Sequence, residues 1–281
     1  MREPTVVELR LGLLAVSVLH DVDLEPATSG VTLTGAPPVR VSWDECRAAL
    51  AGDDPGTPAG RVRLAAWVLA RRWAADAGPA ALEPALRPVG LPVGHLVHPG
   101  PSWVRERVLG GALDLGLGAV GLDPDAPGRV VLLPGPALQG AGLDPARAWP
   151  QARAQLEELG AGAAERALRD AKGHLRPCGD ADALTLLGAR SLRTALAEPA
   201  GGLVGAVVPT RRLGWTRLSA VDPAFGLAAA AATPASDRGF PRAVLVTADE
   251  VTLVPEGGDP SRLVVDDAGR EGRRHRGDRP R

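Results

Sequence analysis

Two histidines three residues apart, in Gly94-His95-Leu96-Val97-His98-Pro99, are the residues best suited to chemistry, and Asp114 follows on the next segment. Imidazole is the side chain whose ordinary titration falls near neutral pH, so a histidine beside a carboxylate makes a natural general acid–base pair. The same residues fall short of a metal site. A His-x-x-His pair needs further ligands, and Pro92 and Pro99 hold this stretch in a loop rather than on one helix face. His95, His98 and Asp114 are therefore the catalytic candidates, set against the plainer reading of loop histidines with ordinary hydrogen bonds. No metal and no cofactor are expected.

A second group is cationic. Arg190, Arg193, Arg211, Arg212 and Arg217 bracket an apolar stretch, Leu203–Val208, that reads as a strand. A planar guanidinium pairs a carboxylate or phosphate through two parallel bonds, so Arg211 and Arg212 are the candidate anion clamp. Trp215, in Leu213-Gly214-Trp215, is the candidate to stack on a ligand; Trp103 is a second tryptophan of note, and core packing is the commoner fate of both. A third group is Arg176-Pro177-Cys178-Gly179-Asp180, with His174 four residues before the thiol. A cysteine near a helix start is a nucleophile candidate where a base accompanies it; otherwise this is a turn leading to Asp180 or Asp182 as helix cap.

Gly116-Leu117-Gly118-Ala119-Val120-Gly121 matches the dinucleotide-binding pattern literally. That chemistry needs a strand before the first glycine and a helix after the third, whose N-terminus takes the pyrophosphate. Here Ser102–Leu115 reads as a helix with Val104, Val108, Ala112 and Leu115 along one face, and Asp123–Gly128 cannot open a helix. The match is expected by chance in a chain with 35 glycines among 281 residues. No serine-hydrolase elbow, phosphate-binding loop, zincin motif or zinc-type Cys/His array occurs.

The elements that must position these groups follow from patterning. The first 45 residues read as β-rich, with Thr5–Leu19 apolar and Val31–Leu33 and Val39–Val41 extended. Ser42 and Glu45 form a capping box that opens a helix to about Leu50. In the helical middle, Val62, Ala66, Leu69 and Trp73 share a face, with Arg61, Arg63, Arg71 and Arg72 turned elsewhere. Prolines punctuate Pro79–Pro101 against any long element. A hairpin is expected over Ala119–Leu133, and a helix from Pro145 that Gly160 and Gly162 divide. A further helix spans Asp182–Ala197. The C-terminal third carries a short helix at Pro223–Ala232 and a hairpin pairing Ala243–Thr247 with Val251–Val254. Runs of β, then α, then β without regular alternation give α+β: one domain over residues 1–258 and a basic tail over 259–281.

Composition narrows the function classes. Ile, Asn and Tyr are absent, and Lys172 is the sole lysine beside 31 arginines, the usage of a GC-rich genome of the actinobacterial kind. Arginine abundance is thus no nucleic-acid signal. Two cysteines, Cys46 and Cys178, are too few for a disulfide framework. Leu11–Leu19 is short and apolar like a signal h-region, but Glu3 and Glu8 precede it where basic residues belong, and no uncharged run of about 18 residues exists to span a bilayer. A cytoplasmic protein without a membrane partner is expected. The net charge of -1 hides an asymmetry: residues 270–281 hold six arginines and two acids, a net of +4, leaving -5 on the rest. Such a tail is expected to be disordered, and nucleic acid is a candidate partner through it alone. The reading is of a non-catalytic protein that binds a protein partner or small regulatory ligand. The alternatives are an enzyme acting on an anionic small molecule, with His acid–base and Arg clamp, and polyanion binding by the tail.

Overall fold

A computed structural model describes residues 2–95, 97–216 and 223–254. Arg217 and the basic tail at 259–281 lie outside the described residues. The fold is α+β, and the chain forms two compact units: Met1–Glu106 with Asp114–Leu156, and Arg107–Leu113 with Glu157–Arg281.

The first unit opens on a helix, not the expected strand. Helix α1 (Val6–His20) starts at Thr5, whose hydroxyl accepts the Glu8 N–H while the Glu8 carboxylate accepts the Thr5 N–H at 2.8 Å. Two orphan donors are satisfied at once, and Leu9, Gly12, Leu13 and Val16 recur at helical spacing on the buried face, which outweighs the modest helix reluctance of valine. Strands β1 (Leu24–Pro26), β2 (Gly30–Leu33) and β3 (Val39–Ser42) then form an antiparallel meander. Strand β3 runs into the Ser42–Glu45 capping box, and α2 (Trp43–Leu50) follows as expected.

Helix α3 (Pro58–Ala85) buries only part of the face the pattern suggested: Leu69 is in the core and Trp73 packs against it. Val62 and Ala66 are exposed, whereas Leu64, Trp67, Val68 and Ala74 are buried, together with two arginines. Arg71 donates to Glu45 and to the Arg40 carbonyl and lies over the Trp67 ring; Arg72 pairs with Asp76 and donates to the Pro37 carbonyl. Guanidinium is tolerated inside because carbonyls and carboxylates take up its donors. The proline-rich stretch is more regular than expected. Gly78 (φ 65°) kinks α3, Pro79 restarts it where a missing N–H costs nothing, and β4 (Leu86–Pro92) carries Pro88 and Pro92.

Ser102–Leu115 is not a helix. It is β5 (Arg105–Val108), a turn, and the start of β6 (Leu113–Ala119), in a sheet ordered β4-β6-β5 with β7 (Val131–Leu132) also on β6. The reason is the turn: Leu109, Gly110 and Gly111 all have positive φ, which no helix interior accepts. Pairing of Gly118 with Leu132 and Ala119 with Val131 forms the expected hairpin. After α4 (Gly135–Gly140), α5 (Pro145–Arg169) runs undivided past Gly160 and Gly162.

The second unit is built on an antiparallel sheet ordered β12-β11-β9-β10-β8. Its strands are β8 (His174–Leu175), β9 (Val204–Thr210), β10 (Leu213–Trp215), β11 (Val244–Val246) and β12 (Val251–Leu253), the last two forming the expected hairpin. The helix anticipated over Asp182–Ala197 is two, α6 (Ala183–Leu186) and α7 (Arg190–Ala197), because Ala189 is extended. Helix α8 (Pro223–Ala232) lies where its pattern placed it. Among the described residues no helix is long and apolar enough to cross a membrane.

Candidate functional site

The glycine motif has a packing origin. Gly116 lies inside β6, and a Cβ there would come within 2.5 Å of the Trp103 indole, which crosses the strand and donates to the Leu117 carbonyl at 2.7 Å. At Gly118 a Cβ would meet Val130 and Val89 at 2.6 and 2.9 Å. Gly121 (φ 76°) turns the chain toward β7, so no helix N-terminus follows to hold a phosphate. Trp103 is core.

In the first unit the loop histidines and Asp114 do converge. Asp114, on β6, is buried; it accepts from Arg105 Nη1 at 3.0 Å and faces His98 Nε2 at 3.4 Å. The other ring nitrogen of His98, Nδ1, accepts the Gly100 N–H at 3.0 Å, which places the ring proton on Nε2, toward the carboxylate. Trp103 meets the ring edge-on at 5.2 Å between centroids. With both nitrogens engaged, His98 has none to offer a substrate; it closes the loop onto the sheet. His95 is buried, and its Nδ1 receives the Val97 N–H.

The cationic candidates separate. Arg211 is bound to Asp182 at 2.7 Å, and Asp182 also caps α6 by accepting the Thr185 N–H. Arg193 is buried, donating to the Leu187 and Ala248 carbonyls. Arg190 reaches Asp249 on the surface, and Arg212 is exposed in the turn between β9 and β10. Burial raises the Cys46 thiol to about 12, with the nearby Glu45 charge adding to it, so Cys46 is no nucleophile.

The second unit holds a cavity of about 70 Å³ that the sequence pattern did not single out. Its polar walls are Arg166 and Asp170 at the end of α5, and His174 and Arg176 around β8; alanines of α5 and α6 with Leu175, Leu186 and Leu192 supply the apolar remainder. His95, His98, Asp114, Arg211, Arg212 and Trp215 do not line it. Trp215 pairs with His174 in the sheet register, with rings tilted 51° at 6.2 Å. His174 Nδ1 lies 2.8 Å from Asp170 Oδ2. The Asp170 carboxyl is held below its ordinary value first by the Lys172 N–H and then by His174, so it is ionised near neutrality and the proton between them sits on Nδ1. Nε2 is the ring atom left for a ligand. Arg166 donates to the Pro177 carbonyl, and neither Arg166 nor Arg176 has a carboxylate partner among the described residues. His174 was visible in the sequence as a base for Cys178. The structure gives it Asp170 instead, through the turn at Gly173 (φ 66°) that folds the end of α5 back onto β8.

Among the described residues no group of three or more His, Cys, Asp or Glu is arranged to hold a metal. Comparison with family models, with curated proteins and with solved structures finds no match to this chain.

Proposed function

We propose that this protein binds a small organic anion, a short-chain carboxylate, in the cavity of its second unit. The observation that carries this is the lining: the exposed guanidiniums of Arg166 and Arg176, with no carboxylate partner among the described residues, and an Asp-oriented imidazole share one small cavity whose other walls are alanine and leucine. Guanidinium supplies paired donors for a carboxylate, and the apolar walls suit a short alkyl group. Size decides against larger ligands. At roughly 10–15 Å³ per water-sized probe, 70 Å³ corresponds to a handful of water positions, far below the roughly 300–1,000 Å³ of nucleotide or coenzyme pockets. The catalytic alternative through His98 and Arg211 has less support, since both are committed to Asp114, Gly100 and Asp182.

The test is a calorimetric and NMR titration of the full chain with propionate, inorganic phosphate and chloride. Propionate is expected to saturate a single site, to shift the His174 ring signals, and to bind at least tenfold more weakly to an Arg166→Ala, Arg176→Ala variant. Binding of phosphate but not propionate overturns the carboxylate assignment; propionate binding unaltered in the double variant overturns the site.

A further inference from the structure

Helix α1 is apolar on two opposite faces. Leu9, Gly12, Leu13 and Val16 are buried in the first unit. Val7, Leu11, Leu14 and Val18 are 65%, 63%, 58% and 77% exposed. At 100° per residue these four fall within a narrow stripe diametrically opposite the buried face, and their 4-3-4 spacing is that of the seam between two packed helices. Isolated exposed leucines need no explanation, but a continuous row along a surface helix does.

We propose that this stripe docks against the same stripe of a second copy of the chain, with the two α1 helices antiparallel. The spacing is self-complementary in that direction: about a two-fold axis between Leu11 and Leu14, Leu11 packs on Leu14 of the other copy and Val7 on Val18. The flanks agree. Antiparallel pairing sets Arg10 opposite Ser17 and Glu8 opposite Ala15, so no like charges meet. A parallel pair instead aligns the two helix dipoles. An anionic lipid surface suits the stripe less well, because Glu3, Glu8, Asp21 and Asp23 outnumber Arg2 and Arg10 around it, the reverse of a membrane-surface helix. Area sets the strength. Four such side chains offer on the order of 400 Å² per copy, and two copies reach only the low end of interface sizes, below about 1,200 Å² in total, where assemblies are weak and reversible.

Sedimentation of the full chain from about 5 to 500 μM tests this. The average mass is expected to climb toward twice the monomer mass with rising concentration. Leu11→Lys and Leu14→Glu, both at exposed positions, should each be monomeric throughout with an unchanged thermal midpoint. Mixed together, they should recover a dimer, because only the antiparallel arrangement opposes positions 11 and 14. A chain monomeric at every concentration overturns the proposal, as does a dimer indifferent to both substitutions. Failure of the mixture to associate overturns the antiparallel arrangement. Binding of the monomer to phosphatidylglycerol vesicles, lost on Leu11→Lys, would give the stripe to lipid instead.

Discussion

Glu157 and Ser191 are joined twice: the Glu157 carboxylate accepts the Ser191 N–H at 3.0 Å, and the Ser191 hydroxyl donates to the Glu157 carbonyl at 2.9 Å. The same carboxylate takes the Arg190 N–H at 2.9 Å. Ala189, the residue at the cap position of α7, has no side chain able to accept these donors, so α5 provides the cap from a distance. A negative group at that end also suits the helix dipole.

The closeness of that joint decides the sign of two glycine substitutions on α5. Gly→Ala in a helix interior ordinarily stabilises by about 0.5–1 kcal/mol. Gly162→Ala should follow this rule, because its Cβ would meet only Cys178 Sγ at 3.5 Å. Gly160→Ala should instead destabilise, by about 1–3 kcal/mol, because its Cβ would fall 2.3 Å from Ala189 Cβ and 2.6 Å from Ser191 Oγ. Urea midpoints of the two variants should move in opposite directions.

Asp114 is predicted to matter for folding and not for ligand binding. Asp114→Ala would remove the buried carboxylate that the half-buried Arg105 donates to and His98 faces, at a cost of about 1–3 kcal/mol. Asp114→Asn, which keeps one acceptor oxygen, should cost less. Propionate affinity of the folded Asp114→Asn protein should equal that of the parent; a tenfold loss would tie this cluster to the ligand.

Acid should loosen α2 first through Glu45. Burial pushes its carboxyl up, but the Ser42 N–H and the Arg71 guanidinium together outweigh burial, and the folded value lies below the ordinary 4.5. A depressed carboxyl contributes stability that is complete above the unfolded value and lost as pH falls through the folded one. Glu45→Gln should therefore be less stable than the parent at pH 7, by about 1–2 kcal/mol for a damaged cap and ion pair. The gap should narrow steadily below pH 4.5. Paired urea denaturations at pH 7 and pH 3.5 measure it; a constant gap would remove Glu45 from the acid response.

Local chemistry made part of this fold legible. Ser42-x-x-Glu45 specified α2 to the residue, and the turn residues between Gly121 and Gly128 specified the β6–β7 hairpin. Thr5-x-x-Glu8 carries the same capping signature, but a valine-rich segment flanked by strands reads as β when composition is weighed above the cap. Gly110-Gly111 reads as a costly interruption of a helix until the positive φ at Leu109 makes a turn of all three residues. The convergence of His98 with Asp114 was within reach of the sequence, while its structural character was not, because it rests on a backbone N–H from Gly100. The Asp170–His174 pair was hidden for a related reason: the two approach only because Gly173 reverses the chain.

The buried cations carry a consequence for substitution. Arg71, Arg72 and Arg193 are all interior, and each guanidinium spans two acceptors: Glu45 and the Arg40 carbonyl, Asp76 and the Pro37 carbonyl, and the Leu187 and Ala248 carbonyls. A lysine at any of the three would bring one compact ammonium in place of the planar fork and could not hold both acceptors at once. In a chain with 31 arginines and one lysine, these are three positions where the two cations are not interchangeable.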